Sequence, residues 1–323
     1  MRRAVVRGTG HYLPERVVEN SWFEDKLETS DEWIRTRTGI ERRHFAADDQ
    51  RTSDLGIAAA KAALENAGMT ADHIDAVVVA TSTPDFTFPS VATMVQAGIG
   101  MKRGFAFDVQ AVCAGFVFAL ANADAMIRSG QAERILVIGA ETFSRIMDWS
   151  DRGTCVLFGD GAGAIILEAV EGNGTVDDRG ILATDLNSDG QYRELLYVDG
   201  GVASTGTAGH LRMQGNLVFR HAVEKLANTA HHALDLAGIA PEQVDWLVPH
   251  QANLRIIEAT AKRMHLPMEK VVLTVADHGN TSAASIPLAL SVANSQGKFQ
   301  PGQVLVAEAI GGGLAWGSVV LRW

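Results

Sequence analysis

The sequence has few cysteines: Cys113 and Cys155 are the two thiols in 323 residues. Two cysteines cannot build a disulfide framework or a four-ligand metal knuckle, which excludes small stapled scaffolds and points to a reducing, cytoplasmic setting. Long apolar runs are also missing. The opening residues, Met1-Arg2-Arg3-Ala4-Val5-Val6-Arg7, lack a signal-peptide core. The longest nearly uncharged apolar stretch, Ala111 to Ala123, falls short of the roughly 20 residues a membrane span requires. Basic charge is in deficit, 28 Lys and Arg against 38 Asp and Glu, so a chain of formal charge −10 repels nucleic-acid phosphates. The ten histidines include no HExxH pattern, and no metal site is expected. What remains, 47% apolar and 20% charged residues, is an ordinary globular composition at a length that fits about two domain-sized units.

The chain contains its own copy. Ala63-Leu64-Glu65-Asn66-Ala67-Gly68-Met69, followed by Ile74-Asp75, returns 170 positions later as Ala233-Leu234-Asp235-Leu236-Ala237-Gly238-Ile239, followed by Val244-Asp245. Each copy predicts an amphipathic helix closed by glycine and then an apolar strand, Ala76 to Ala80 in the first and Trp246 to Val248 in the second. Ile135-Leu136-Val137 recurs as Val304-Leu305-Val306, and Gly163 to Leu167 resembles Gly317 to Leu321. Two copies of helix, strand, helix, strand, strand predict two α/β units packed as one body. Glu171 to Gly215, rich in Gly, Asp and Ser, reads as connection and surface loop. Gly159, Gly161 and Ala164 fit a dinucleotide fingerprint in spacing alone, because Ile165-Ile166-Leu167 continues as a strand where the fingerprint needs a helix.

A strand pattern, Phe105 to Val109, and a helix pattern, Phe116 to Ile127, meet at Cys113-Ala114-Gly115. Small residues there permit a sharp turn that presents Cys113 at a helix N-terminus, the geometry of a nucleophile elbow. The helix dipole favours the thiolate and apolar burial opposes it. Cys155, in the strand-like Cys155-Val156-Leu157-Phe158, reads as an inert core residue. In the second copy the joint equivalent to Cys113 lies in His278-Gly279-Asn280-Thr281-Ser282-Ala283, and His250 falls at the C-terminal end of the Trp246 strand, where open α/β sheets place their sites. Leu254, Ile257, Ala261 and Met264 recur at helical spacing and predict a helix whose other face carries Arg255, Lys262 and Arg263.

Ala111-Val112-Cys113-Ala114-Gly115-Phe116, Val248-Pro249-His250-Gln251-Ala252-Asn253 and His278-Gly279-Asn280-Thr281-Ser282-Ala283 resemble the three active-site motifs of the β-ketoacyl-acyl-carrier-protein synthase III family. The resemblance extends through Thr29 to Ile34, Thr36 to Ile40, Asp151 to Thr154, Phe158 to Gly163 and Gly311 to Gly313. It implies a thiolase-like α/β fold of five layers, αβαβα, with halves at 1–172 and 173–323, in a homodimer. It implies decarboxylative Claisen condensation of a short acyl-CoA, acetyl-CoA first, with malonyl-acyl-carrier-protein, initiating fatty acid synthesis without a cofactor because the CoA thioester is a substrate.

By that resemblance Cys113 is the nucleophile and His250 and Asn280 stabilise the malonyl-derived enolate. Backbone N–H groups of Cys113 and Gly312 form an oxyanion hole. Trp33 and Arg152 sandwich the adenine of CoA, Arg37 holds its phosphates, and Phe88 closes the primer pocket across the dimer. Arg220, Gln251, Ala252, Asn253, Leu254, Arg255, Lys262 and Arg263 receive the carrier protein. Ile310 and Leu314 flank the glycine triplet where aromatics are familiar, and Arg220 stands in place of a lysine. Two other readings share the Cys, His and Asn set. One is a condensing enzyme for longer or secondary-metabolite starters. The other is a cysteine thioesterase or hydrolase, against which chain order and the duplicated α/β pattern argue.

Overall fold

The computed structural model describes residues 1–323. The first half runs β1 (Arg2–Tyr12), α1 (Asp31–Thr38), α2 (Thr52–Ala67), β2 (Ala76–Ala80), α3 (Val91–Gly98), β3 (Phe105–Val109), α4 (Gly115–Arg128), β4 (Arg134–Thr142) and β5 (Asp160–Glu171). The second runs β6 (Gly180–Ser188), α5 (Gly215–Ala237), β7 (Trp246–Pro249), α6 (Leu254–Arg263), α7 (Ser285–Ser295), β8 (Val304–Gly311) and β9 (Ala315–Arg322). The first sheet has the order β1-β5-β4-β2-β3 and the second repeats it as β6-β9-β8-β7. Pairing is parallel within β4-β2-β3 and between β8 and β7, and antiparallel at β1, β5, β6 and β9. Where the first sheet has β3, the second has an isolated parallel bridge from Leu247 to Val271.

Strand alternation sorts the side chains into layers. Ala76, Val78 and Ala80 of β2 face one core together with Phe116, Leu120 and Ile127 of α4 and Ile286 and Leu290 of α7, and Leu305 and Ala307 of β8 close that core from the other side. Val77 and Val79 face the opposite way, onto Leu55, Ala59 and Ala63 of α2. Val304 and Val306 of β8 likewise meet Ala230 and Leu234 of α5. The order is therefore α2, sheet, α4 with α7, sheet, α5: the five-layered thiolase-like arrangement. Gly68 and Gly238 end the duplicated helices at φ of 64° and 68°, the left-handed cap that glycine adopts without a steric penalty. No helix is long and apolar enough to cross a membrane.

Two sequence expectations change. Cys155 lies in a turn instead of a strand, because the Asp151 carboxylate accepts from Gly153 N and Thr154 Oγ1 and curls the chain. The Glu171 to Gly215 segment is more than connection. It contributes β6, which pairs along β9 as β1 pairs along β5, and a hairpin of Leu196–Val198 with Leu211–Met213. Its polar residues concealed this because β6 is an edge strand that is only partly buried beyond Leu182.

Close approach of α7 to the first sheet depends on Gly139, where an added Cβ would lie 2.2 Å from the carbonyl oxygen of Ala283. Gly139→Ala is expected to destabilise the protein by about 1–3 kcal/mol, the cost of overpacking. Gly190→Ala, where nothing lies within 4 Å, serves as the control, and thermal unfolding of both variants measures the difference.

Candidate active site

Cys113 follows β3 in a short 3-10 turn, Val112–Ala114, that leads into α4. Val112 takes a positive φ of 50°, unusual for a β-branched residue, and throws Cys113 across the C-terminal end of the sheet. The second copy does the same: Ser282 has φ 49° and opens the 3-10 turn Ser282–Ala284 before α7. The two turns abut, and Ser282 Oγ donates to Cys113 Sγ at 3.4 Å. Burial pushes the thiol up to about 12; Ser282 and the residue's own backbone N–H oppose this, while the charge of Glu141 adds to it. Desolvation, the effect set against the helix dipole in the sequence, is thus the leading cause in the free protein.

Asn280 shares the Ser282 support. Its Oδ1 accepts from Ser282 N at 2.9 Å, which commits the oxygen and leaves the amide NH₂ to donate elsewhere. His250 comes from the end of β7, its backbone N–H held by the carbonyl of Glu308 at 2.8 Å. Its Nδ1 lies 2.7 Å from Ser285 Oγ, which also accepts from Gln251 N at 3.3 Å. Ser285 Oγ has no other hydrogen-bond acceptor for its proton, so we assign that proton to Nδ1 and the ring proton to Nε2. Burial lowers the His250 pKa to about 3, so the imidazole is a neutral donor. One segment, Asn280 to Ser285, therefore touches all three expected catalytic residues. Ser282 and Ser285 escaped the sequence reading, although Ser282 stands 170 positions from Val112 and the repeat marks it.

Glycine at 311 is required against the nucleophile, because a Cβ there would meet Cys113 N at 2.6 Å. Gly312 and Cys113 both line a cavity of about 1820 Å³, as do Phe88 and Leu314. His250, Asn280, Trp33, Arg37 and Arg152 do not line it. Phe88 is 82% exposed. Ile310 turns away from the cavity and packs with Ala222 and Leu226 of α5, so its departure from the familiar aromatic does not reach the cavity wall.

Trp33, Arg37 and Arg152 are brought together. The two guanidinium carbons lie 4.8 and 4.7 Å from the Trp33 ring centroid, within cation–π range, and Arg152 donates to the carbonyl of Glu28. Asn253 Nδ2 donates to Arg37 O at 3.2 Å, and Asn280 N to Leu157 O at 2.9 Å. The cluster is thereby fastened to the His250 loop, and the turn that runs on from Arg152 is fastened to the Asn280 loop. Beyond His250, α6 forms as expected, with Ile257, Ala261 and Met264 buried, Leu254 half-buried, and Arg255, Lys262 and Arg263 exposed. Arg255 lies over the Phe219 ring at 5.9 Å, beside the exposed Arg220 of α5. Gln251 is a correction. It is fully buried, its Oε1 accepts from Thr274 N and Val275 N, and its Nε2 donates to Pro249 O and Val272 O. A saturated, buried amide cannot meet a docking protein; it anchors the His250 loop.

The family description 3-oxoacyl-[acyl-carrier-protein] synthase III matches residues 107–190, and its C-terminal counterpart residues 234–323. The β-ketoacyl-[acyl-carrier-protein] synthase III of Paracoccus denitrificans is 85% identical over 323 residues, 100% of each chain. That of Rhodobacter capsulatus is 76% identical over 321 residues, 99% of each. The chain belongs to the β-ketoacyl-acyl-carrier-protein synthase III family. The solved synthase III of Aquifex aeolicus superposes with a TM-score of 0.93 at 44% identity, covering 99% of this chain and 100% of that one. Synthase III membership and the duplicated thiolase-like architecture thus agree.

In this synthase III site the imidazole should stay neutral throughout the working range. ¹⁵N NMR is expected to show His250 protonated at Nε2 alone from about pH 9 down to about pH 5, and a midpoint near the ordinary 6.5 would contradict the assignment. Since the unfolded ring takes a proton at that ordinary value and the folded one resists, this residue lowers stability progressively as pH falls below about 6.5.

Proposed function

We propose that the chain condenses a short acyl-CoA, acetyl-CoA first, with malonyl-acyl-carrier-protein, releasing CoA and CO₂ and starting fatty acid synthesis. The observation that carries this reading is the shared segment Asn280–Ser285, which holds a nucleophilic sulfur and two neutral hydrogen-bond donors in one buried site. A hydrolase needs a base to activate water, and an imidazole with its pKa lowered to about 3 is a poor one. Neutral donors suit an enolate, because the charge they stabilise appears only in the transition state.

In the first half-reaction Cys113 sulfur attacks the acyl-CoA carbonyl and CoA thiolate departs, leaving a thioester on Cys113. The oxyanion of that step faces the backbone N–H groups of Cys113 and Gly312, where glycine lets the chain approach closely. In the second, malonyl thioester loses CO₂. His250 Nε2–H and the Asn280 amide donate to the resulting enolate oxygen, and its carbon attacks the Cys113 thioester to give the β-ketoacyl product. No cofactor is needed, since the thioester bond supplies the activation.

For CoA, the Trp33 ring with Arg152 is suited to clasp adenine and Arg37 to pair with phosphate. Arg152 rests directly on Trp33 in the free protein, so a base entering between them lifts the guanidinium by roughly 3.5 Å, one van der Waals layer. The cavity of about 1820 Å³ exceeds the ~300–1,000 Å³ of common ligand clefts. An exposed Phe88 at its rim supports closure by a second copy in a homodimer, each Phe88 narrowing the partner's pocket to a short primer. The basic face of Arg255, Lys262 and Arg263, with Arg220 beside it, suits an acidic carrier protein that the net charge of −10 would otherwise repel. Such a reaction fits a cytoplasmic setting.

Incubation with radiolabelled acetyl-CoA and then malonyl carrier protein tests the reading: acyl-enzyme followed by β-ketoacyl product is expected, and free acetate alone overturns it. Cys113→Ser should abolish acyl-enzyme formation. His250→Ala and Asn280→Ala should each suppress malonyl decarboxylation by about 10² or more, the scale of a lost oxyanion donor, while acylation persists. Arg255→Glu should raise KM for malonyl carrier protein, more steeply at low salt, and leave acylation by acyl-CoA nearly unchanged.

A further inference from the structure

A carboxyl group that the condensation derived above does not use lies beside Cys113. Glu141, on β4, is fully buried. Its Oε2 accepts from Thr83 Oγ1 at 2.6 Å, Ser82 N at 3.0 Å and Thr81 Oγ1 at 3.2 Å, all from the loop leaving β2. Thr83 is itself pinned, its Oγ1 accepting from Thr142 N and its carbonyl from Thr52 Oγ1. Oε1 has no hydrogen-bond partner. An unpaired lone pair in a dry interior is expensive to keep, and a fold that gives one oxygen three donors and the other none holds the second oxygen in reserve.

Ser282 joins the two groups. Its hydroxyl donates to Cys113 Sγ, and its turn packs on β4, where Gly139, on the same face of the strand as Glu141, faces the carbonyl of Ala283. The groups around Glu141 are hydroxyls of Thr81, Thr83 and Ser282 and the Ser82 N–H, none of them charged, and Cys113 is the titratable group that feels its charge. Two like charges in one buried site cannot both persist, so thiol and carboxyl act as a pair with one proton between them.

We propose that Glu141, a positioning residue acting through the Ser282 hydroxyl, takes the Cys113 proton when the sulfur attacks and returns it when the sulfur is released. In the forward step the Ser282 hydroxyl turns from Sγ to the unpartnered Oε1; the thiol S–H bond then breaks, its proton passes to Ser282 oxygen, and the Ser282 hydroxyl proton passes to Glu141 Oε1. Thiol, hydroxyl and carboxylate become thiolate, hydroxyl and carboxylic acid with no change in net charge. The acid stays beside the thioester during condensation. Departing CoA thiolate takes its proton from solvent. When the β-ketoacyl product leaves, Cys113 thiolate regains its proton along the same path, so the relay ends each turnover as it began.

This inference rests on acyl transfer at Cys113 for its purpose, and the test does not. Alkylation of Cys113 by iodoacetamide, followed by peptide mass mapping against pH, requires no substrate. The parent rate is expected to rise with pH through the titration of Glu141, which burial has raised to about 7. Glu141→Gln keeps the volume and removes the proton site; it should lose that inflection and react at least about 100-fold more slowly at neutral pH, the low end for a lost base. Ser282→Ala should do the same, and the double variant should be no slower than either single one. An equal or faster rate in Glu141→Gln with the inflection retained overturns the relay. Should Glu141→Gln fail to melt cooperatively, the Ser282→Ala profile decides, and a retained inflection there overturns it as well. If the parent does not accept acetyl-CoA, the acyl-transfer reading falls while the alkylation profile still judges the proton path.

Discussion

The contact on which the site depends is the abutment of two 3-10 turns, Val112–Ala114 from the first half and Ser282–Ala284 from the second. Each begins at a residue with φ near 50°, a conformation the surroundings must enforce. Glycines make the enforcement possible: Gly139 admits the Ala283 carbonyl, and Gly311 lets the β8 end press onto Cys113 N. The central helices are thus driven together by apolar packing, and the polar chemistry occupies the seam that packing leaves. Each large aliphatic residue buried there, such as Leu120 or Ile286, contributes about 1.5–3 kcal/mol, which is what holds strained backbone and uncompensated polar atoms in place.

Dry packing sets the electrostatics. The thiol is pushed up, the imidazole down and the carboxyls of Glu141 and Glu308 up, to about 7 and about 8, with burial the leading cause in every case. The result is a site with little permanent charge. A neutral interior gives hydrogen-bond donors their greatest effect on charge that develops during reaction, and it makes the position of a single proton decisive.

The fold was largely legible because the duplication is written in strongly periodic segments: Ala63 to Asp75 and Ala233 to Asp245 return as helix, cap and strand in both halves. The polar edge strand Gly180–Ser188 was not legible, since burial fades towards its C-terminal end and Asp185 and Asn187 interrupt the apolar pattern that marks a buried strand. Candidate residues at strand ends, Cys113 and His250, followed from position. Their supports did not. Ser282, Ser285 and Glu141 act through contacts between segments more than 30 positions apart, and a serine or glutamate in sequence carries no sign of which partner it will meet. Gln251 misled in the opposite direction, because its neighbours Asn253 and Arg255 reach the surface while its own amide turns inward.

That inward turn has a mechanical consequence. Gln251 is fixed by four hydrogen bonds two residues before Asn253 caps α6, so the chain passes from an immovable anchor to a surface helix within a few ångströms. Only Ala252 and Asn253 link that anchor to α6. Substitutions at the exposed Arg255, Lys262 and Arg263 therefore leave the hydrogen bonds around Gln251 and His250 intact, and one buried amide insulates the imidazole from the surface helix.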